Sequence, residues 1–148
     1  MRNLILILSL FITAACAHKH KFDNATVSNE PGGLETTLMT IKNKGDKMDI
    51  MLSFRNEYPF PVIIQENAVK VEFAGSKNSG LHRHNSRTLL RTGDWKEHLV
   101  VPRFLQELPK WGRGQVTVDH IYKEDNGRQG ERLPPLSIAF ELRDHQNN

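Results

Sequence analysis

The chain has a single cysteine, Cys16, among its 148 residues. That excludes a disulfide-stapled scaffold and a metal site built from a cysteine cluster. It has no Gly-rich phosphate loop, no serine nucleophile motif and no pair of histidines at helical spacing. Carboxylates are scattered through turn-like and alternating segments, so no local pair offers acid–base chemistry, and nothing positive points to an enzyme. After the first apolar run there is no second one, no internal repeat and no low-complexity tract. The formal net charge of +3 is too small to indicate a polyanion partner. From Lys77 to Arg91 no aromatic residue interrupts the basic side chains, so bases would have nothing to stack on and nucleic acid is not expected as a partner.

What is present starts at the N-terminus. Arg2 is followed by Leu4, Ile5, Leu6, Ile7, Leu8, Leu10, Phe11 and Ile12, then by the small residues Thr13, Ala14 and Ala15. A charged start, a short apolar run and a small-residue exit describe a signal peptide over residues 1–15. The run is short of the ~20 apolar residues that a spanning helix needs. Small residues running into Cys16 resemble the lipobox of bacterial lipoproteins, although Thr13 stands where that family usually has Leu. The resemblance implies cleavage before Cys16, a diacylglyceryl group on its sulfur and an acyl chain on its new amine. Several chains give a stable anchor where one binds only marginally. Acylation would also remove the liability of a lone exported thiol. In the diderm form of the family an Asp after the cysteine favours inner-membrane retention; Ala17 therefore points to the outer membrane, facing the periplasm.

Cleavage would remove Arg2 and no acid, leaving a mature chain of net charge +2 and a length that suits one domain. Residues 16–31 read as a polar, lipid-anchored tether, with His18, Lys19, His20 and Lys21 near the anchor. Gly32-Gly33 opens the folded part, expected over 32–145. Leu34 to Ile41 is a candidate strand; Met48, Ile50, Leu52 and Phe54 alternate with polar residues and make the clearest one. Val62 to Ile64, Val69/Val71/Phe73, Trp95/Glu97/Leu99/Val101, Val116/Val118/Tyr122 and Leu136/Ile138/Phe140/Leu142 continue the pattern. Gly75 to Gly80 and Lys123 to Gly130 read as loops, and Phe104, Leu105 and Leu108 as one or two helical turns ended by Pro109. Seven or eight short strands with almost no helix predict an all-β, immunoglobulin-like antiparallel β-sandwich. Leu52 to Val62, where an aliphatic strand runs into Asn56 and then Phe60-Pro61, resembles a strand end in the water-stress and late-embryogenesis sandwich domains, with Glu57 standing where that family has the first proline. That short stretch implies the same fold class and no activity.

Two local features bear on function. His82 and His84 are two apart, so on a strand both imidazoles share a face and suit a transition metal such as copper or zinc, with His98 or His120 as further ligands. The alternative is two solvent-facing histidines. Lys77, Arg83, Arg87 and Arg91 form a stretch with no acid, which suits an anionic envelope polymer or an acidic protein surface, or is simply a solvated face. If a strand runs through it, the three arginines share one side with Leu89, and Leu90 points the other way. The reading is a lipid-anchored cell-envelope binding or assembly module that needs no cofactor, with envelope metal binding as the alternative. An envelope enzyme with convergent distant residues is the third hypothesis.

Overall fold

The structure is a computed structural model that describes residues 25–65, 69–78 and 87–143. Cys16, His82, Arg83 and His84 lie outside the described residues. The described chain is all-β. Its strands are β1 (Thr26–Ser28), β2 (Leu34–Asn43), β3 (Met48–Asn56), β4 (Val62–Gln65), β5 (Val69–Phe73), β6 (Ser76–Lys77), β7 (Arg87–Leu90), β8 (Trp95–Val100), β9 (Gly112–Val118), β10 (Ile121–Asp125), β11 (Arg128–Arg132) and β12 (Leu136–Leu142).

They form three antiparallel four-stranded sheets, ordered β1-β2-β3-β8, β11-β10-β4-β7 and β12-β9-β5-β6. The last two follow one another along the chain. β4 continues into β5, β6 into β7, β9 into β10 and β11 into β12, so each connection carries the chain from one sheet to the other. Twelve described strands stand where seven or eight were expected, and between β9 and β10 and between β11 and β12 the breaks Asp119-His120 and Leu133-Pro134-Pro135 end the ladders. Proline cannot donate to a ladder, so the last of these breaks is imposed by the residue type.

The core follows from alternation. In β3, Met48, Ile50, Leu52 and Phe54 are buried, and in β12 so are Leu136, Ile138, Phe140 and Leu142. With Leu34, Leu38, Val62, Ile64, Val71, Phe73, Val116 and Val118 they form one continuous cluster contributed by all three sheets. Met48 belongs to it, while Met39 and Met51 are half-buried on the other side of the first sheet. Met39 is the extra residue where the β2–β3 register shifts.

Several expectations are corrected. β1 pairs with β2 through Thr26↔Thr37, Val27↔Thr36 and Ser28↔Glu35, so the fold begins inside the stretch read as tether, before Gly32. Lys123 to Gly130 is a hairpin and not a loop: Asn126 and Gly127 take φ of 50° and 77° between β10 and β11. Two consecutive residues in the left-handed region make the turn whose twist matches its strands. Ala74-Gly75, at φ of 50° and 81°, does the same between β5 and β6. The segment from Pro102 to Trp111 contains no helix. The Phe104 N–H donates to the Asp46 carbonyl (2.8 Å) and the Leu108 N–H to the Gly45 carbonyl (2.9 Å), so backbone groups that a helical turn would pair locally go to the β2–β3 turn.

The two ends of the sandwich differ. At one end the chain leaves β3 through Asn56, a buried side chain that donates to the carbonyls of Phe60 (2.9 Å) and Leu90 (3.0 Å) and accepts from the Tyr58 N–H (3.0 Å). Tyr58 stacks on Phe60, and its hydroxyl donates to the Glu30 carboxylate and accepts from Asn29 Nδ2 (2.8 Å). At the other end the β2–β3 turn packs beside the Pro102–Trp111 loop.

Candidate functional site

The basic stretch is the part of the sequence-derived site that the structure describes in part. Lys77 is exposed on β6, and Arg87 is exposed at the start of β7. Arg91 is exposed just past the end of β7, where its N–H donates to Asp94 Oδ2 (2.9 Å). β6 and β7 belong to different sheets, and Lys77 lies opposite Glu72 in its own ladder. Lys77 is therefore set apart from the two arginines. Within β7, Thr88 and Leu90 are buried and Arg87 and Leu89 exposed. Alternation thus puts Arg87 and Leu89 on the outer side, with Arg91 next in phase.

A cross-strand row gives this side its character. Leu89 lies opposite Ile63 on β4, Ile63 opposite Tyr122 on β10, and Tyr122 opposite Arg132 on β11. Val62 and Ile64 belong to the core, so Ile63 between them faces outward. It is nonetheless only 6% exposed, whereas Leu89 is 53% exposed. The cross-strand neighbours of Ile63 on this face are Leu89 and Tyr122, and such pairs stabilise a sheet face. Among the described strands β7 is the outermost of its sheet. Among the described residues no acid forms an ion pair with Arg87 or Arg91.

Beside the row, Asp119 gathers cations from two strands, Lys70 on β5 and Arg132 on β11. Its Oδ2 accepts from Lys70 Nζ (2.6 Å) and lies 3.9 Å from Arg132 Nη2. The Asp119 carbonyl accepts from Arg132 Nε (3.1 Å) and Nη2 (2.9 Å). His120 stands between Asp119 Oδ1 (3.5 Å from Nε2) and the Tyr122 hydroxyl (3.2 Å from Nδ1). The cluster ties β5, β10 and β11 together where the strands break. In sequence Asp119 is one acid after Val118, and only the fold reveals how many cations meet it.

His98 and His120 lie on different parts of the fold. His98 sits on β8, opposite Leu52 on the core side of the first sheet, while His120 lies between β9 and β10. Among the described residues no three His, Cys, Asp or Glu side chains are placed to hold a metal ion. The outward side of β8 carries Trp95 (58% exposed) and Leu99 (49% exposed). Lys96 and Val100 share the core side with His98, and Lys96 Nζ donates to Thr88 Oγ1 (3.1 Å). The face of β8 that reads as apolar in the sequence is thus the wet one.

No protein-family model matches the chain, and comparison with curated proteins finds no match either. Among solved structures, the chain is similar in fold to ycdA, a presumed lipoprotein of Bacillus subtilis, with a TM-score of 0.56 at 9% sequence identity. The likeness covers 84% of this chain and 40% of the other, so the chain spans about two fifths of that protein's length.

Proposed function

We propose that the protein is a lipid-anchored component of a bacterial cell envelope whose β-sandwich is a binding or assembly module. Cys16, directly after Thr13-Ala14-Ala15, carries the anchor, and Ala17 directs the protein to the periplasmic side of the outer membrane in a diderm cell. The fold of the Bacillus subtilis lipoprotein supports the same assignment. The immunoglobulin-like part of the reading is supported by strand order. Counted across the breaks, β2-β3-β8 stands against β11/β12, β9/β10, β4/β5 and β6/β7, an arrangement like the two sheets of that fold.

The observation that carries binding is the outer row Tyr122–Ile63–Leu89 flanked by Arg87 and Arg91 on an outermost strand. Apolar contact at the centre and cations at the rim suit an acidic segment of another envelope protein. A polyanionic wall polymer would use the arginines and leave Leu89 idle. The test is a photo-crosslinking residue at position 89 in cells. A discrete protein adduct, lost in a chain with Arg87→Gln and Arg91→Gln, is the expected result; free monomer at every condition would refute the module. Cys16→Ser should separately release the protein from membranes. A variant that still partitions with them as the parent does would remove the anchor from this reading.

A further inference from the structure

The two ends of the sandwich carry opposite charge, and one of them displays an apolar tip. Between the hydrogen bonds that pin Phe104 and Leu108 to the β2–β3 turn, Leu105 is 94% exposed. Phe104 and Leu108 are buried on either side of it, and Gln106 Nε2 donates to Ser76 Oγ (2.7 Å). An isolated apolar side chain on a surface is ordinary. This one is held outward by a braced loop, and its surroundings are basic. Lys42, Lys44, Lys47, Lys77, Arg103 and Lys110 lie at this end against Asp46, Asp49, Glu72 and Glu107, with Asp49 already paired to Lys44 and Glu72 opposite Lys77. Arg113 and Arg143 share the single carboxylate of Glu141 beside them. At the opposite end the balance reverses: Glu30, Glu35, Glu57, Asp94, Glu124 and Asp125 stand against Arg55, Arg91, Lys123 and Arg128.

The path of the chain points the same way. β1 is antiparallel to β2, and the Ala25 carbonyl accepts from the Leu38 N–H (2.9 Å). The chain therefore enters β1 from the side towards which β2 runs, the side of Asn43 and the basic end. Ala25 is nine residues on from Cys16, a span of at most about 30 Å. From Leu38 to Asn43 is five residues along β2, about 17 Å. A lipid at Cys16 holds the basic end close to its bilayer. For the acidic end to face the lipid, the chain would have to reverse its direction before β1.

We propose that the end formed by the β2–β3 turn and the Pro102–Trp111 loop seats on anionic lipid headgroups, with Leu105 inserted between them and the neighbouring lysines on the phosphates. This rests on the anchoring reading and deepens it. The anchor supplies proximity, while the braced leucine and the cations supply orientation, as basic residues beside a lipid anchor do at anionic surfaces. The outer side of β7 then stands off the membrane and stays open to a partner.

The test uses the full chain as processed in cells, reconstituted in phosphatidylglycerol/phosphatidylethanolamine vesicles. An environment-sensitive fluorophore is placed through Leu105→Cys, and in a second chain through Arg128→Cys at the acidic end. The probe at position 105 should shift its emission to the blue and be quenched by a nitroxide-bearing lipid; the probe at position 128 should do neither. Raising the salt, or combining Lys44→Gln, Lys47→Gln and Lys110→Gln, should reverse much of the shift, since exposed charges are screened over about 8 Å at physiological ionic strength. A probe at position 105 that stays in water while the vesicles retain the chain overturns the seat and leaves the anchor standing. Cys16 in the otherwise unsubstituted chain that still reacts with a maleimide overturns both.

Discussion

Phe73 and Phe140 stack with ring centroids 5.9 Å apart and planes inclined by 5°, on either side of a strand residue that has no side chain. Both lie opposite Gly114, one through the β5–β9 ladder and one through the β9–β12 ladder. A Cβ at Gly114 would come within 2.3 Å of Phe140 Cζ and 2.8 Å of the Glu72 carbonyl oxygen. The glycine is there because two aromatic rings occupy the space above it, and the backbone carbonyl cannot retreat without breaking its ladder.

Gly114→Ala should therefore destabilise the domain by about 1–3 kcal/mol through overpacking. Urea denaturation reads this as a lower midpoint at unchanged slope. A midpoint equal to the parent's would mean that Phe140 swings aside without cost. Gly75→Ala makes a useful contrast, because nothing lies near its missing Cβ and only its φ of 81° is strained.

Asn56 joins three connections at the acidic end. Asn56→Ala leaves the carbonyls of Phe60 and Leu90 without this donor and the Tyr58 N–H without its acceptor. Each buried polar group left unpaired costs roughly 1–3 kcal/mol. The variant should lose stability and also exchange the amide hydrogen of Tyr58 faster than the parent. Unchanged exchange at that amide would show that the side chain is not what holds the 57–61 connection.

Burial, and then its hydrogen bond to Glu30, hold the Tyr58 hydroxyl above its ordinary pKa of 10.0; the contact from Asn29 opposes them. A group whose pKa is raised on folding contributes stability that is complete below the unfolded value and is lost as pH climbs through 10 towards the folded value. Unfolding free energy should therefore fall with alkaline pH more steeply in the parent than in Tyr58→Phe. Parallel pH profiles for the two would remove Tyr58 as a source of the alkaline loss.

Leu89 and Ile63 are neighbours with opposite expected phenotypes. Leu89→Asp changes a half-exposed surface position and should leave stability within about 0.5 kcal/mol, yet abolish the crosslinked adduct. Ile63→Ala removes a buried side chain and should cost about 2 kcal/mol or more. If Leu89→Asp keeps the adduct, the row on β4, β7 and β10 is a packing feature only.

The strongest strands were legible because a half-buried strand must alternate. Met48/Ile50/Leu52/Phe54, Val69/Val71/Phe73 and Leu136/Ile138/Phe140/Leu142 face the core as their spacing indicates. The β10–β11 hairpin carried its own signal, Asn126-Gly127, which a polar loop reading passes over although that dipeptide suits a tight turn. β6 and most of β11 fall in stretches that read as loops, Gly75 to Gly80 and Lys123 to Gly130. Which sheet each of them joins depends on partners far away in sequence.

By itself the sequence determined an all-β chain, the alternating core positions, and the charged, apolar and small-residue order that ends at Cys16, because these are set by neighbours along the chain. Tertiary structure decided the rest. β8 turns Trp95 and Leu99 outward because its register with β3 puts Lys96, His98 and Val100 opposite Phe54, Leu52 and Ile50. Arg87 is set apart from Lys77 because β6 and β7 pair into different sheets. Leu105 is displayed because both flanks of its loop bond to the β2–β3 turn. A side chain's environment in a sheet is fixed by the strand across from it, and that pairing joins residues that local periodicity does not connect.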